Sequence, residues 1–144
     1  MTRIATVAAC ALALAPLAAC GSEGSAESGS GALRTVEVRA SDALRFDPAT
    51  VAAKPGEKVT FRIVNTGAQV HEFVIGDAAF HEAHEKAMSG GGGHGGHHAA
   101  GGGAVEVAAG QTATLTYTMP DEAPTYACHI SQHDDAGMKG TVTY

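Results

Sequence analysis

The stretch ATVAAKPGEKVTFRIVN, residues 49–65, decides the fold. After a Pro55-Gly56 turn, Val59, Phe61 and Ile63 fall on one side, and Lys58, Thr60 and Arg62 on the other. Side chains of an extended chain alternate with period 2, so this pattern predicts a strand with one buried face. The rhythm continues outward in both directions. TVEVRA (residues 35–40) alternates, LRFDP (44–48) follows a turn at Ser41-Asp42, and VHEFVI (70–75) is a short apolar run. AVEVAAGQTATLTYTMP (104–120) reads as strand, Ala109-Gly110 turn and strand, with Thr112, Thr114, Thr116 and Thr118 facing out. TYACHI (125–130) and KGTVTY (139–144) complete the set. About seven short strands separated by turn signals predict an all-β fold, an antiparallel β-sandwich.

Residues 78–103 break the rhythm and read as an insertion between two strands. AAFHEAHEKAM (78–88) has helix-forming composition, and SGGGGHGGHHAAGGG (89–103) is too glycine-rich to pack a core. Setting it aside leaves about 85 residues of 34–144 for the sandwich, small but enough for a single core. The chain has no tryptophan and only seven Phe and Tyr, so a bound metal would add useful stability.

The start, MTRIATVAACALALAPLAAC, has an early cation, Arg3, and an apolar run over residues 4–19. That is the pattern of a secretory signal, and the run is short for a membrane span of about 20 residues. Leu17-Ala18-Ala19-Cys20, followed by Gly21, resembles the lipobox of bacterial lipoproteins, which implies lipid on Cys20. Residues 21–33 are small or acidic almost throughout and suit a flexible tether. The expectation is a domain over residues 34–144 held by lipid at the outer face of the cell membrane, or in the periplasm. Cys10 then leaves with the signal and Cys20 carries lipid, so Cys128 is a lone thiol in an oxidising compartment. The formal net charge is −6, with no cluster of Lys or Arg to follow phosphates, which argues against nucleic acid as a partner.

The answer to the lone thiol lies in YACHISQHDDAGMKG, residues 126–140. Cys128 is followed at five-residue steps by His133 and Met138, and His71 stands upstream on the strand of VHEFVI. Two imidazoles, a thiolate and a weak axial thioether are the donor set of blue-copper electron transfer. Soft sulfur favours Cu(I), while imidazole suits both oxidation states. Strand parity places His71 on the face of Phe73 and Ile75, and Cys128 on the face of Tyr126, so both point inward. His129 falls on the face opposite Cys128 and reads as exposed; it is the one reserve for the second nitrogen ligand.

The same stretch resembles the copper-binding loop of the cupredoxins, the plastocyanin and azurin family. FDPATVAAKPGEKVTFRIVNTGAQVHEF, residues 46–73, resembles the family's N-terminal half. The resemblance covers most of residues 34–144 and implies a Greek-key sandwich with one type 1 copper held by His71, Cys128, His133 and Met138. The Cys-to-His spacing is closer to the auracyanins and rusticyanin than to plastocyanin. Ser131-Gln132 stands where many relatives read Pro-Gly. The implied activity is single-electron carriage by Cu(I)/Cu(II) cycling, without enzymatic turnover, by a monomer that meets a redox partner protein. The competing expectation is copper capture, storage or delivery. His81 and His84 share a helix face beside Glu82 and Glu85, and His94, His97 and His98 sit among glycines. These five histidines are candidates for a weak secondary metal site, against the plainer reading of a solvated loop.

Overall fold

The computed structural model describes residues 33–89, 97–99 and 101–144. The expected signal segment, Cys20 as the expected lipid site, the expected tether apart from Leu33, and His94 lie outside the described residues. Among the described residues no helix is long and apolar enough to cross a membrane.

Two sheets face one another. The first runs β2 (Arg45–Asp47), β1 (Arg34–Ser41), β4 (Lys58–Asn65), β8 (Thr112–Thr118). The second runs β3 (Thr50–Ala52), β10 (Lys139–Thr143), β9 (Thr125–Ala127), β5 (His71–Gly76), β7 (Gly102–Val107), β6 (His97–Ala99). The all-β sandwich is as the alternation predicts, but both sheets are mixed rather than purely antiparallel. Strand β1 runs parallel to β4, and β3 parallel to β10. The reason is connectivity: between β1 and β4 the chain crosses to the other sheet to form β3, and returns in its original direction.

Strand β4 carries the deciding pattern. Val59, Phe61 and Ile63 are fully buried, and Lys58 and Arg62 are exposed. Strand β8, paired with it, turns Leu115 inward and its threonines outward. Across the gap, Phe73 is the hub of a ring cluster, with centroids 5.1 Å from Phe61, 5.1 Å from Tyr126 and 5.6 Å from Phe46. Each such fully buried side chain contributes roughly 1.5–3 kcal/mol of hydrophobic stabilisation. With so few aromatics, this cluster dominates the core, and it lies directly behind His71, two residues from Phe73.

Strand β5 departs from alternation, for all six of its residues are buried. Helix α1 (Ala78–Ser89) lies across its outer face. A Cβ on Gly76 would come within 2.8 Å of the Phe80 ring, and one on Gly102 would run into that ring. These glycines let the helix close on the sheet. The insertion read over residues 78–103 is therefore not an appendage. Its helix is present, but its last glycines, Gly102 and Gly103, are buried in β7 opposite Gly76 and Ile75. The low packing value of glycine was offset here by Phe80, which fills the space a side chain would take.

Candidate metal centre

The ends of four elements bring the site together. His71 opens β5, Cys128 follows β9, His133 follows a short 3-10 turn (Ile130–Gln132), and Met138 precedes β10. Strands β9 and β10 pair antiparallel, Ala127 opposite Lys139, so the loop between them returns on itself. Its backbone ties the site residues to one another. The Cys128 N–H donates to the Met138 carbonyl at 3.1 Å, and the Met138 N–H to the His133 carbonyl at 2.9 Å. Arg45 of β2 clamps the far end, Nη1 donating to the carbonyls of Ala136 and Leu44, each at 2.7 Å. Ser131 and Gln132 both take left-handed backbone angles, φ +50° and +61°. The tight turn is thus made by non-glycine residues, at a conformational cost.

His71, Cys128 and His133 are all buried, and their ligand atoms lie within 4.8 Å of one another. Cys128 Sγ is 3.5 Å from His133 Nδ1, and the two imidazole centroids are 5.4 Å apart. Bonds of about 2.0–2.3 Å to a trigonal ion would set donors roughly 3.5 Å apart, so the spacing fits a metal. A second observation agrees. His71 is fully buried, yet neither ring nitrogen has a hydrogen-bond partner. Its Nε2 is 3.7 Å from Asp42 Oδ1, too far for a hydrogen bond but close enough to orient the ring. Orphaned buried polar atoms are costly, and a cation at the shared point satisfies one.

The electrostatics suit a ligand set. Burial pushes the Cys128 thiol above its ordinary value, partly opposed by backbone N–H groups at Glu72 and Ile130. Glu72 N–H points at the sulfur from 3.4 Å. Burial also holds His71 below the ordinary histidine value, helped by neighbouring His133 and opposed by Asp42, so the ring offers a lone pair. Metal binding must displace the thiol proton, which makes uptake pH-dependent.

Met138 is fully buried at the expected place on the same loop. The candidate secondary histidines part company. His81 and His84 do share a face of α1, but that face is turned to the protein. His84 is buried with Nε2 2.9 Å from Glu72 Oε1, and His81 meets His129. His97 and His98 lie in β6, opposite Ala104 and Gly103 of β7. His129 does fall on the side opposite Cys128, but its side chain is only 5% exposed, because α1 covers that side. The reading of His129 as exposed is corrected accordingly. Sequence reasoning missed Asp42 and Glu72. Glu72 was signalled by its place next to His71; Asp42 arrives from a distant turn, and no local pattern announces it.

Residues 34–144 match the sequence profile of copper binding proteins, plastocyanin/azurin family. The chain is 38% identical over 112 residues to the copper-resistant cuproprotein CopI of Rubrivivax gelatinosus, covering 77% of this chain and 66% of that protein. It is 33% identical over 139 residues to the copper-resistant cuproprotein CopI of Pseudomonas aeruginosa, covering 78% of this chain and 76% of that one. Among solved structures, dithionite-reduced auracyanin from Roseiflexus castenholzii superposes with TM-score 0.66 at 24% identity, over 78% of this chain and 98% of that one. Fold, donor set and sequence agree: the chain belongs to the plastocyanin/azurin family of copper-binding proteins, the cupredoxins.

Proposed function

We propose that this protein holds one type 1 copper and carries single electrons outside the cytoplasmic membrane, without turning over a substrate of its own. His71, Cys128 and His133 would hold the ion, with Met138 buried on the same loop as a further soft donor. The observation that carries this reading is the buried convergence of His71, Cys128 and His133, with both His71 ring nitrogens unpaired. Copper supplies a one-electron couple, and the chain's task is to keep the donors from moving as the charge changes. The backbone bonds through Met138 and the Arg45 clamp fix the loop, and the ring cluster behind His71 fixes the strand. The Glu72 N–H on sulfur stabilises the thiolate charge. His133 lies on the loop, at 7% exposed the least covered of the three, and offers the path for the electron to a redox partner. Lipid on Cys20 would hold the domain at the membrane.

Substituting Cys128→Ser tests the assignment, because the intense blue absorption needs the thiolate. A serine variant that stayed blue would refute it.

A second reading has its own support. Both curated relatives bear the name copper-resistant cuproprotein. Capture or delivery of copper uses the same centre, so kinetics must separate the two. Rapid reduction and reoxidation with copper retained fits the carrier; fast loss of Cu(I) to a competing chelator fits handling.

A further inference from the structure

On the outer side of the copper loop, helix α1 and the loop assemble a second donor set around His129. His129 Nδ1 lies 3.0 Å from Glu85 Oε1 and 3.4 Å from Asp134 Oδ2. The ligand atoms of these three residues all lie within 4.8 Å of one another. The His129 side chain is 5% exposed, Asp134 20% and Glu85 54%, so a covered imidazole faces two carboxylates with access to water.

A relay of ring nitrogens leads into this group. His81 Nε2 lies 3.2 Å from both the carbonyl and the hydroxyl of Thr125, and His81 Nδ1 sits 2.8 Å from His129 Nε2. Either tautomer of the relay satisfies these contacts, and the one that puts the His129 proton on Nε2 leaves the Nδ1 lone pair facing the Glu85 and Asp134 carboxylates. A metal cation among these three atoms selects that tautomer. Two cavities, of about 650 and 350 Å³, are both lined by Glu85, His129 and Asp134, so the group borders space open to an ion.

We propose that Glu85, His129 and Asp134 form a second metal site, for a divalent transition-metal ion. An imidazole with two carboxylates is a borderline donor set, and the general affinity order for such sites ranks Cu(II) above Zn(II). It lacks sulfur and so gives an ordinary tetragonal Cu(II) centre. The ion takes the Nδ1 lone pair of His129 while Nε2 keeps its contact with His81. The peptide bond joining Cys128 to His129 links the two centres, whose side chains point to opposite sides. The site needs neither the glycine-bound histidines nor the type 1 centre.

The test uses the full chain carrying His94→Gln, His97→Gln and His98→Gln, which removes the competing imidazoles. Cu(II) is titrated beyond the first equivalent while EPR and calorimetry follow the second. The result expected is a second equivalent with a tetragonal signal, weakened at least about tenfold by Glu85→Gln with Asp134→Asn, the loss typical of damaged metal sites. Glu85→Gln alone, on an exposed helix surface, should weaken it in the same direction without affecting folding. A second equivalent bound equally well by the carboxylate variants overturns the proposal, as does the lack of a second equivalent. The tetragonal signal is read whether or not a blue band is present, so a missing band counts against the type 1 assignment alone.

Discussion

At the scale of single residues, the copper loop carries its own strain. Ser131 and Gln132 hold left-handed angles that cost an L-residue about 1–2 kcal/mol each. Gln132→Gly should therefore stabilise the metal-free protein by about 1 kcal/mol in urea unfolding, after allowing for the greater freedom of glycine when unfolded. A destabilised variant would mean that the Gln132 side chain contributes more than its backbone costs. The converging residues could be picked out from sequence because Cys128, His133 and Met138 stand in a fixed order on one loop and His71 on an inward strand face. Their supports were not. Asp42 reaches His71 across the fold, and the Ala68 and Gln69 N–H groups that hold its carboxylate are likewise distant in sequence. Such contacts depend on how the sheets are stacked, which alternation alone does not specify.

Among the elements, α1 is the one whose role could not be read in advance. Period 2 correctly placed His71, Phe73 and Ile75 inward on β5, but gave Glu72 and Val74 an open face. A helix covers it instead, and the buried Glu72 carboxylate takes His84 as its partner, 2.9 Å away. The approach lacks hydrogen-bond geometry, so deleting the ring removes packing and leaves a buried polar group further from any partner, a loss of about 1–3 kcal/mol. His84→Ala should show a loss of that order in urea unfolding, and adding Glu72→Gln should recover part of it. Equal stability of wild type and His84→Ala would show that α1 rests lightly on the sheet. The same packing governs deletions. Excising residues 80–103 removes Phe80 and the first two residues of β7, so it should destabilise the domain well beyond the ±0.5 kcal/mol typical of surface changes. Excising residues 90–96 alone should leave the centre's colour unchanged. Loss of colour in the shorter deletion would contradict the placement of the site.

For the whole molecule, the buried histidines set a pH dependence. Burial depresses His71 and His81 below the ordinary histidine value of about 6.5, so the unfolded chain takes up these protons first as pH falls. The stability of the metal-free protein is then fully present above about pH 6.5 and declines as pH falls toward the depressed values. Urea midpoints at pH 7.5 and 5.5 should differ in that direction; an unchanged midpoint would argue that these rings are not buried neutral. Copper, which binds the folded form, should raise both midpoints. The sandwich was legible because each strand advertises one apolar face, while the parallel pairings follow from a crossover that no strand signals locally. The central claim is that Cys128 binds copper as a thiolate between His71 and His133. An optical and EPR spectrum of the full chain with one equivalent of Cu(II) tests it most directly. The account predicts an intense blue band with a narrow copper hyperfine splitting; a pale protein with an ordinary tetragonal signal would contradict it.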